Sequence, residues 1–220
     1  MTTSQPILPA ALTLPGAWVR LDPLAATDVP ALASLLREPA LYGYGPLWFP
    51  IPESAAAAVA LASDAFVARQ APSTGRGDGR LTFAVRLADA SPLGPAEALV
   101  GTSSLSEIDL ANQKIHLGGT LYHPSVWGSV VNGETKLLLL EACFERWGFG
   151  RVKLQTDARN ARSRAAIAAL GAQPEGILRR ESRRGHGTFR DVAVFSVLRD
   201  EWPAVRERLR ARIDARRPRT

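Results

Sequence analysis

Two short stretches put small and polar residues where helices begin. In SVWGSVVNGETK, residues 125–136, a Trp-Gly turn and two valines lead into Asn132, Gly133 and Glu134, ahead of an apolar helical pattern over 137–147. In DARNARSRAAIAALGA, Asn160 stands three residues before Ser163 and opens an Ala-rich pattern closed by Gly171. The first helical turn leaves N–H groups without intrahelical partners, and aligned peptide dipoles add partial positive charge there. A small loop lets a phosphate approach such donors, and Gly128 and Gly133 supply the room. Asn132 is a candidate cap for the helix at 132–147. An ordinary capped helix is the other reading of the same twelve residues.

Groups that could move protons are few. Glu107 and Asp109 close a strand pattern over 98–108. His116 and Tyr122, six apart in the strand pattern 114–122, share a face by strict alternation. Either could face a cleft, and His116 could equally be a satisfied sheet histidine. Cys143 sits within a Leu-rich helix and reads as packing. No His, Cys or Asp cluster has ligand spacing, so no metal is expected. GTSSLS lacks the Gly-x-Ser-x-Gly elbow, so no hydrolase triad is indicated.

The elements that must position these groups read as a mixed α/β sheet. A strand near 12–24 precedes a helix over 28–37, an aromatic loop with Tyr42, Tyr44, Trp48 and Phe49, and a helix over 53–69. Residues 71–80, APSTGRGDGR, read as a loop. Strands at 81–87, 98–108 and 114–122, separated by turn-rich segments, argue for antiparallel pairing. The strand–helix–strand run 114–156 is a βαβ crossover, so its two strands should lie parallel and adjacent. A helix over 160–170, a hairpin over 176–198 and a basic helix from about 200 complete the chain. Both helix starts then open at the carboxyl ends of neighbouring strands, where open α/β sheets take ligands.

The 220 residues suit one domain, with residues 1–10 expected to be disordered and 200–220 forming a basic helix and tail. A single cysteine and the lack of a secretion-type start point to the cytoplasm. No run of apolar residues is long enough to span a membrane. The net charge of +6 collects at the end: 13 arginines and 6 acidic residues fall between Arg179 and Thr220. Arginine outnumbers lysine 24 to 3, a coding-type bias, and the last helix reads as a solvated face, so no nucleic-acid partner is expected.

Three segments together, LGGTLYHPSVWGSVVNGETKLLLLEACFE, RVKLQTDARNARSRAAIAALGAQPEGILRR and RDVAVFSVLRDEWP, resemble the GCN5-related N-acetyltransferases, most closely the branch of ribosomal-protein N-terminal acetyltransferases. The resemblance implies a single domain with a mostly antiparallel twisted sheet, one parallel splayed strand pair and helices on both faces. It implies direct transfer of an acetyl group from acetyl-CoA to a primary amine, on a protein N-terminus or a small molecule. The family's phosphate loop has the pattern Gln/Arg-x-x-Gly-x-Gly/Ala; Trp127, Val130 and Asn132 stand at its named positions, so neither small residue is kept. Leu121, Trp127, Gly128, Ser129, Val130, Asn132, Gly133, Asn160 and Ser163 would line the cofactor slot. Glu107 would be the base, Ser163 would assist the thiolate, Tyr122 is a third catalytic candidate, and Tyr42, Tyr44, Trp48 and Phe49 would wall the acceptor. A CoA-binding regulatory protein with little catalysis is the alternative, motivated by Val130 and Asn132. Exposed sheet edges of this kind also allow a homodimer.

Overall fold

The computed structural model describes residues 5–42, 51–68, 72–184 and 187–217. Eight strands form one sheet in the order β1-β2-β3-β4-β5-β6-β8-β7. They are β1 Leu14–Pro15, β2 Val19–Pro23, β3 Arg76–Leu87, β4 Leu99–Asp109, β5 Lys114–Tyr122, β6 Arg151–Asp157, β7 Gln173–Arg183 and β8 Phe189–Leu198. Every neighbouring pair is antiparallel except β5 and β6, as the crossover reading requires. The helices are α1 Val29–Leu36, α2 Ala55–Ala68, α3 Val130–Glu141, α4 Ala161–Leu170 and α5 Trp202–Asp214.

The two sheet faces carry separate cores. On one, Leu105, Ile115, Leu117 and Val152 pack with Leu139 and Leu140 of α3, Ile167 of α4 and Leu209 of α5. On the other, Leu32 and Leu36 of α1 and Ala58 and Ala62 of α2 cover Ala84 and Leu121. The expected architecture, a mixed sheet with helices on both faces, is borne out.

Several boundaries differ from the sequence reading. GRGDGR is not all loop: β3 begins at Arg76, where Asp78 accepts from Thr74 N–H (2.9 Å) and Ser73 Oγ (3.0 Å) and stabilises the turn that feeds the strand. Residues 5–10 are not wholly loose, because Ile7 N–H donates to Trp147 C=O (2.9 Å). The α3 helix does not run through to 147; it opens into a π-helical turn, Ala142–Arg146, where Trp147 N–H reaches Ala142 C=O.

Glu134 ties the beginning of the chain to this framework. Its buried carboxylate accepts from the backbone N–H groups of Ala17 (2.9 Å), Trp18 (2.7 Å) and Val19 (2.7 Å), closing the β1–β2 turn against α3. Gly16 permits the approach, since a Cβ there would fall 2.8 Å from Glu134 Cδ and 2.7 Å from Val19 O. Three donors satisfy what would otherwise be an expensive buried charge. Glu134→Ala leaves them unpaired and is expected to cost about 2–4 kcal/mol. Urea denaturation checks this, and a loss below about 1 kcal/mol would contradict the assigned role.

Candidate active site

Strands β5 and β6 pair over only three positions, Lys114 with Arg151, Ile115 with Val152 and His116 with Lys153. Beyond them β6 continues along β8 through Asp157, and β5 continues along β4 through Tyr122. The two strands part, and the sheet has an opening. On β5 the parting coincides with a bulge: Thr102 opposes Leu121 and Ser104 opposes Gly118, so Gly119 and Thr120 together face Ser103. Gly119 takes φ +57°, the left-handed conformation that glycine adopts without a Cβ penalty.

The bulge reverses the strand's alternation. His116 sits on the face of Ser106, whose Oγ is 3.2 Å from its Nδ1, opposite the core that holds Ile115 and Leu117. Leu121 joins the α1–α2 core, whereas Tyr122 packs toward α3. His116 and Tyr122 therefore do not share a face. The Tyr122 hydroxyl is buried beside Thr135 of α3, and burial pushes its pKa well above the ordinary value. That position suits packing better than proton donation.

Both helix starts meet the opening. The cap of α3 is Ser129, not Asn132: Ser129 Oγ accepts from Val131 N–H (3.2 Å) and donates to Val126 C=O (2.6 Å). Asn132 thus lies within the first turn. Val130 and Val131 are buried, so their side chains point inward, away from the loop. Gly128 takes φ +76° with nothing within 4 Å of a Cβ position, whereas Gly133 spends its smallness on α5, with Ile213 Cγ1 3.1 Å away. At α4, Asn160 caps as its spacing predicts, its Oδ1 accepting from Ser163 N–H (2.9 Å). Ser163 is half-buried. The Arg162 guanidinium lies 3.8 Å from the Trp127 ring centroid, joining the α4 start to the loop before α3. Trp127 Nε1–H in turn donates to Tyr122 C=O at the end of β5 (3.0 Å).

Glu107 lies at the other end of the parting. Its carboxylate is 3.3 Å from His116 Nδ1 and accepts from Lys153 Nζ (2.5 Å). Hydrogen bonding to His116 and then to Lys153 holds it down to about 2 against the desolvation that opposes them. So weak a base is better placed to hold a partner than to take a proton from an amine. Tyr42 belongs to the α1–α2 core, its hydroxyl donating to Leu36 C=O (2.7 Å). Tyr44, Trp48 and Phe49 lie outside the described residues.

Lys136 carries no role in the sequence reading, and the structure makes it conspicuous. Its ammonium is buried under the bulge, donating to Thr120 Oγ1 (2.6 Å) and Ser103 Oγ (3.0 Å), which also bond each other (2.9 Å). It makes no ion pair among the described residues, and burial brings its pKa down to about 7. The available signal was a lysine opening KLLLL in a chain that otherwise prefers arginine.

A mixed sheet that parts between two parallel strands, with two capped helix starts at the opening, defines the acyl-CoA N-acyltransferase architecture. The chain belongs to the acetyltransferase (GNAT) domain family, whose sequence profile matches residues 19–173, and it is an N-acetyltransferase. A GCN5-related N-acetyltransferase from Brucella melitensis is 26% identical with a TM-score of 0.79, covering 96% of this chain and 90% of its own. A T. thermophilus chain described as an acetyltransferase is 32% identical with a TM-score of 0.76, covering 94% of this chain and 100% of its own. Mycobacterium smegmatis RimJ, solved in complex with CoA-disulfide, is 21% identical with a TM-score of 0.66, covering 90% of each chain. Among proteins with curated functions, none matches the sequence.

The lysine gives a pH-dependent expectation. Folded Lys136 loses its proton near pH 7, whereas an unfolded lysine keeps it to about pH 10.4. Between those values the unfolded chain binds more protons, so this group makes stability rise with pH there, and its cost is greatest below pH 7. Lys136→Met, which leaves Ser103 and Thr120 paired, is expected to stabilise the fold at pH 6 by on the order of a few kcal/mol. The gain should shrink toward pH 10. Denaturation at both pH values tests it, and a variant less stable than its parent at pH 6 contradicts it.

Proposed function

We propose that this chain transfers an acetyl group from acetyl-CoA directly to a primary amine, on a protein N-terminus or a small molecule. The observation that carries the reading is the convergence of the α3 and α4 starts on the opening between β5 and β6, with Arg162 stacked on Trp127 across them. Membership of the GNAT family supports acetyl-CoA as donor, and RimJ was solved with a CoA species.

The chain's own groups fit the parts of that donor. First-turn N–H groups of α3, at Val130, Asn132 and Gly133, suit a diphosphate, which the helix dipole also favours. The pantetheine arm is peptide-like, and the unpaired flank of β6 from Leu154 to Asp157 offers backbone groups along which it can lie as an added strand. With Asn160 Oδ1 committed to its own helix, the amide NH₂ is what Asn160 can offer the arm. Backbone N–H groups of the β5 bulge, near Gly119 to Leu121, are the donors this reading assigns to the developing oxyanion. Ser163 can donate to the departing thiolate. These assignments need an acceptor that is readily deprotonated, and an α-amino group, with a pKa of about 7.7–8.0, asks less than a lysine at about 10.4.

Asn132→Asp separates the helix from the ligand. A carboxylate in the first turn favours the α3 dipole by about 0.3–1 kcal/mol yet repels a diphosphate at the same place. The variant is expected to melt no lower than the parent without ligand, and to bind CoA about tenfold or more weakly by titration calorimetry. Equal CoA affinity in the two proteins would remove α3 from the phosphate site.

A further inference from the structure

We propose that His116 is the catalytic base, taking through Nε2 the proton that the acceptor amine loses as it attacks the thioester, while Glu107 positions the ring through Nδ1. The inference deepens the acetyl-transfer reading and rests on it. It starts from an anomaly: His116 Nε2 is buried and has no hydrogen-bond partner among the described residues, in a fold whose other polar groups are almost all satisfied. Buried polar atoms without partners are rare and costly, and a waiting reactant is one physical reason for keeping one.

The tautomer follows from the neighbours. Glu107 is a carboxylate at any pH near neutral and can only accept, and Ser106 Oγ, 3.2 Å from Nδ1, can accept as well, so a hydrogen on Nδ1 suits both neighbours. Nε2 is then left with its lone pair. Its position is also fixed: an ideal Cβ on Gly118 would fall 2.6 Å from Nε2, so the atom rests against the backbone immediately before the Gly119 bulge. His116 is in the last pair before β5 and β6 part. Nε2 thus lies within a residue or two of the N–H groups proposed for the oxyanion, where the attacking nitrogen must arrive.

The charged groups around the ring come from three strands. Burial lowers the His116 pKa, as do Lys153 of β6 and Arg80 of β3, while Glu107 of β4 raises it. The net direction is downward, which keeps the imidazole neutral and able to accept at pH 7. In the step itself, the amine nitrogen bonds to the thioester carbon and becomes cationic. His116 Nε2 takes its proton, the C–S bond breaks with its electron pair going to sulfur, and the thiolate acquires a proton from solvent, directly or relayed by Ser163, which regains its own from solvent. His116 then returns its proton to solvent, so the sum is amine plus acetyl-CoA giving amide plus CoA thiol.

The test uses the full chain, acetyl-CoA, and a panel of small primary amines and tripeptides with free N-termini, following thiol release. For an amine that the parent acetylates, His116→Gln is expected to lower kcat by on the order of 10²–10⁴-fold while retaining the thermal shift given by CoA. The parent's kcat should fall on the acid side with an apparent pKa below about 6.5, the ordinary histidine value. That limb should vanish in His116→Gln and move to lower pH in Glu107→Gln, because the carboxylate that raises the ring's pKa is gone. Added imidazole should partly restore His116→Ala. A His116→Gln enzyme with kcat within about threefold of the parent and an unchanged acid limb overturns the base assignment alone. A parent that binds no CoA, or acetylates nothing in the panel, overturns the acetyl-transfer reading and this inference with it.

Discussion

Beyond His116 and Lys153 the ladder between β5 and β6 stops, and the peptide groups those strands turn toward each other need partners from elsewhere. An edge of unpaired backbone inside a sheet is costly to leave dry and is a template for an added strand. The remaining features of the site relate to that parting. The α3 and α4 helices start at its mouth, the β5 bulge lies along one bank, and Glu107 and Lys153 join β4 to β6 at its root. Trp127 and Arg162 span the mouth through a ring contact instead of a backbone ladder, a bridge that ties two loops while leaving the strand flanks open.

Charge is handled differently at the two ends. At the root, Glu107 accepts from Lys153 and faces His116, and it remains a carboxylate at neutral pH. Under the bulge, Lys136 has only hydroxyl partners among the described residues, and its proton is loosely held near neutrality. Arginine could not take that place, since a guanidinium does not deprotonate in proteins and its fork asks for more acceptors than Ser103 and Thr120 supply. In a chain with 24 arginines and 3 lysines, this is a physical reason for one lysine to persist.

How much of this was legible in the sequence can be judged residue by residue. Asn160 was readable because an Asn at the end of a strand, before an Ala-rich periodic run, has one obvious use. The start of α3 was misread by three residues, since Ser129 and Asn132 are both good caps and only the inward packing of Val130 and Val131 decides between them. The adjacency of the two helix starts followed from crossover topology and needed no side-chain detail. The pairing of Tyr122 with His116 failed for a different reason: alternation arguments assume an unbroken ladder, and Gly118-Gly119 was the one local hint that the ladder slips. Glu107 stands near the end of its strand, as its pattern predicts, but its ion pair to Lys153 joins residues 46 apart and no local pattern encodes it.

The slip at Gly119 lets one strand serve two layers. Upstream, odd-numbered Ile115 and Leu117 feed the α3 side; downstream, odd-numbered Leu121 feeds the α1–α2 side. Straightening the ladder there with every residue kept would turn Leu121 toward α3 and Tyr122 toward α1, overfilling one interior and hollowing the other. Residue count in the rest of this strand is consequently as constrained as side-chain identity, and insertions or deletions in descendants of this chain should collect in the surface connections.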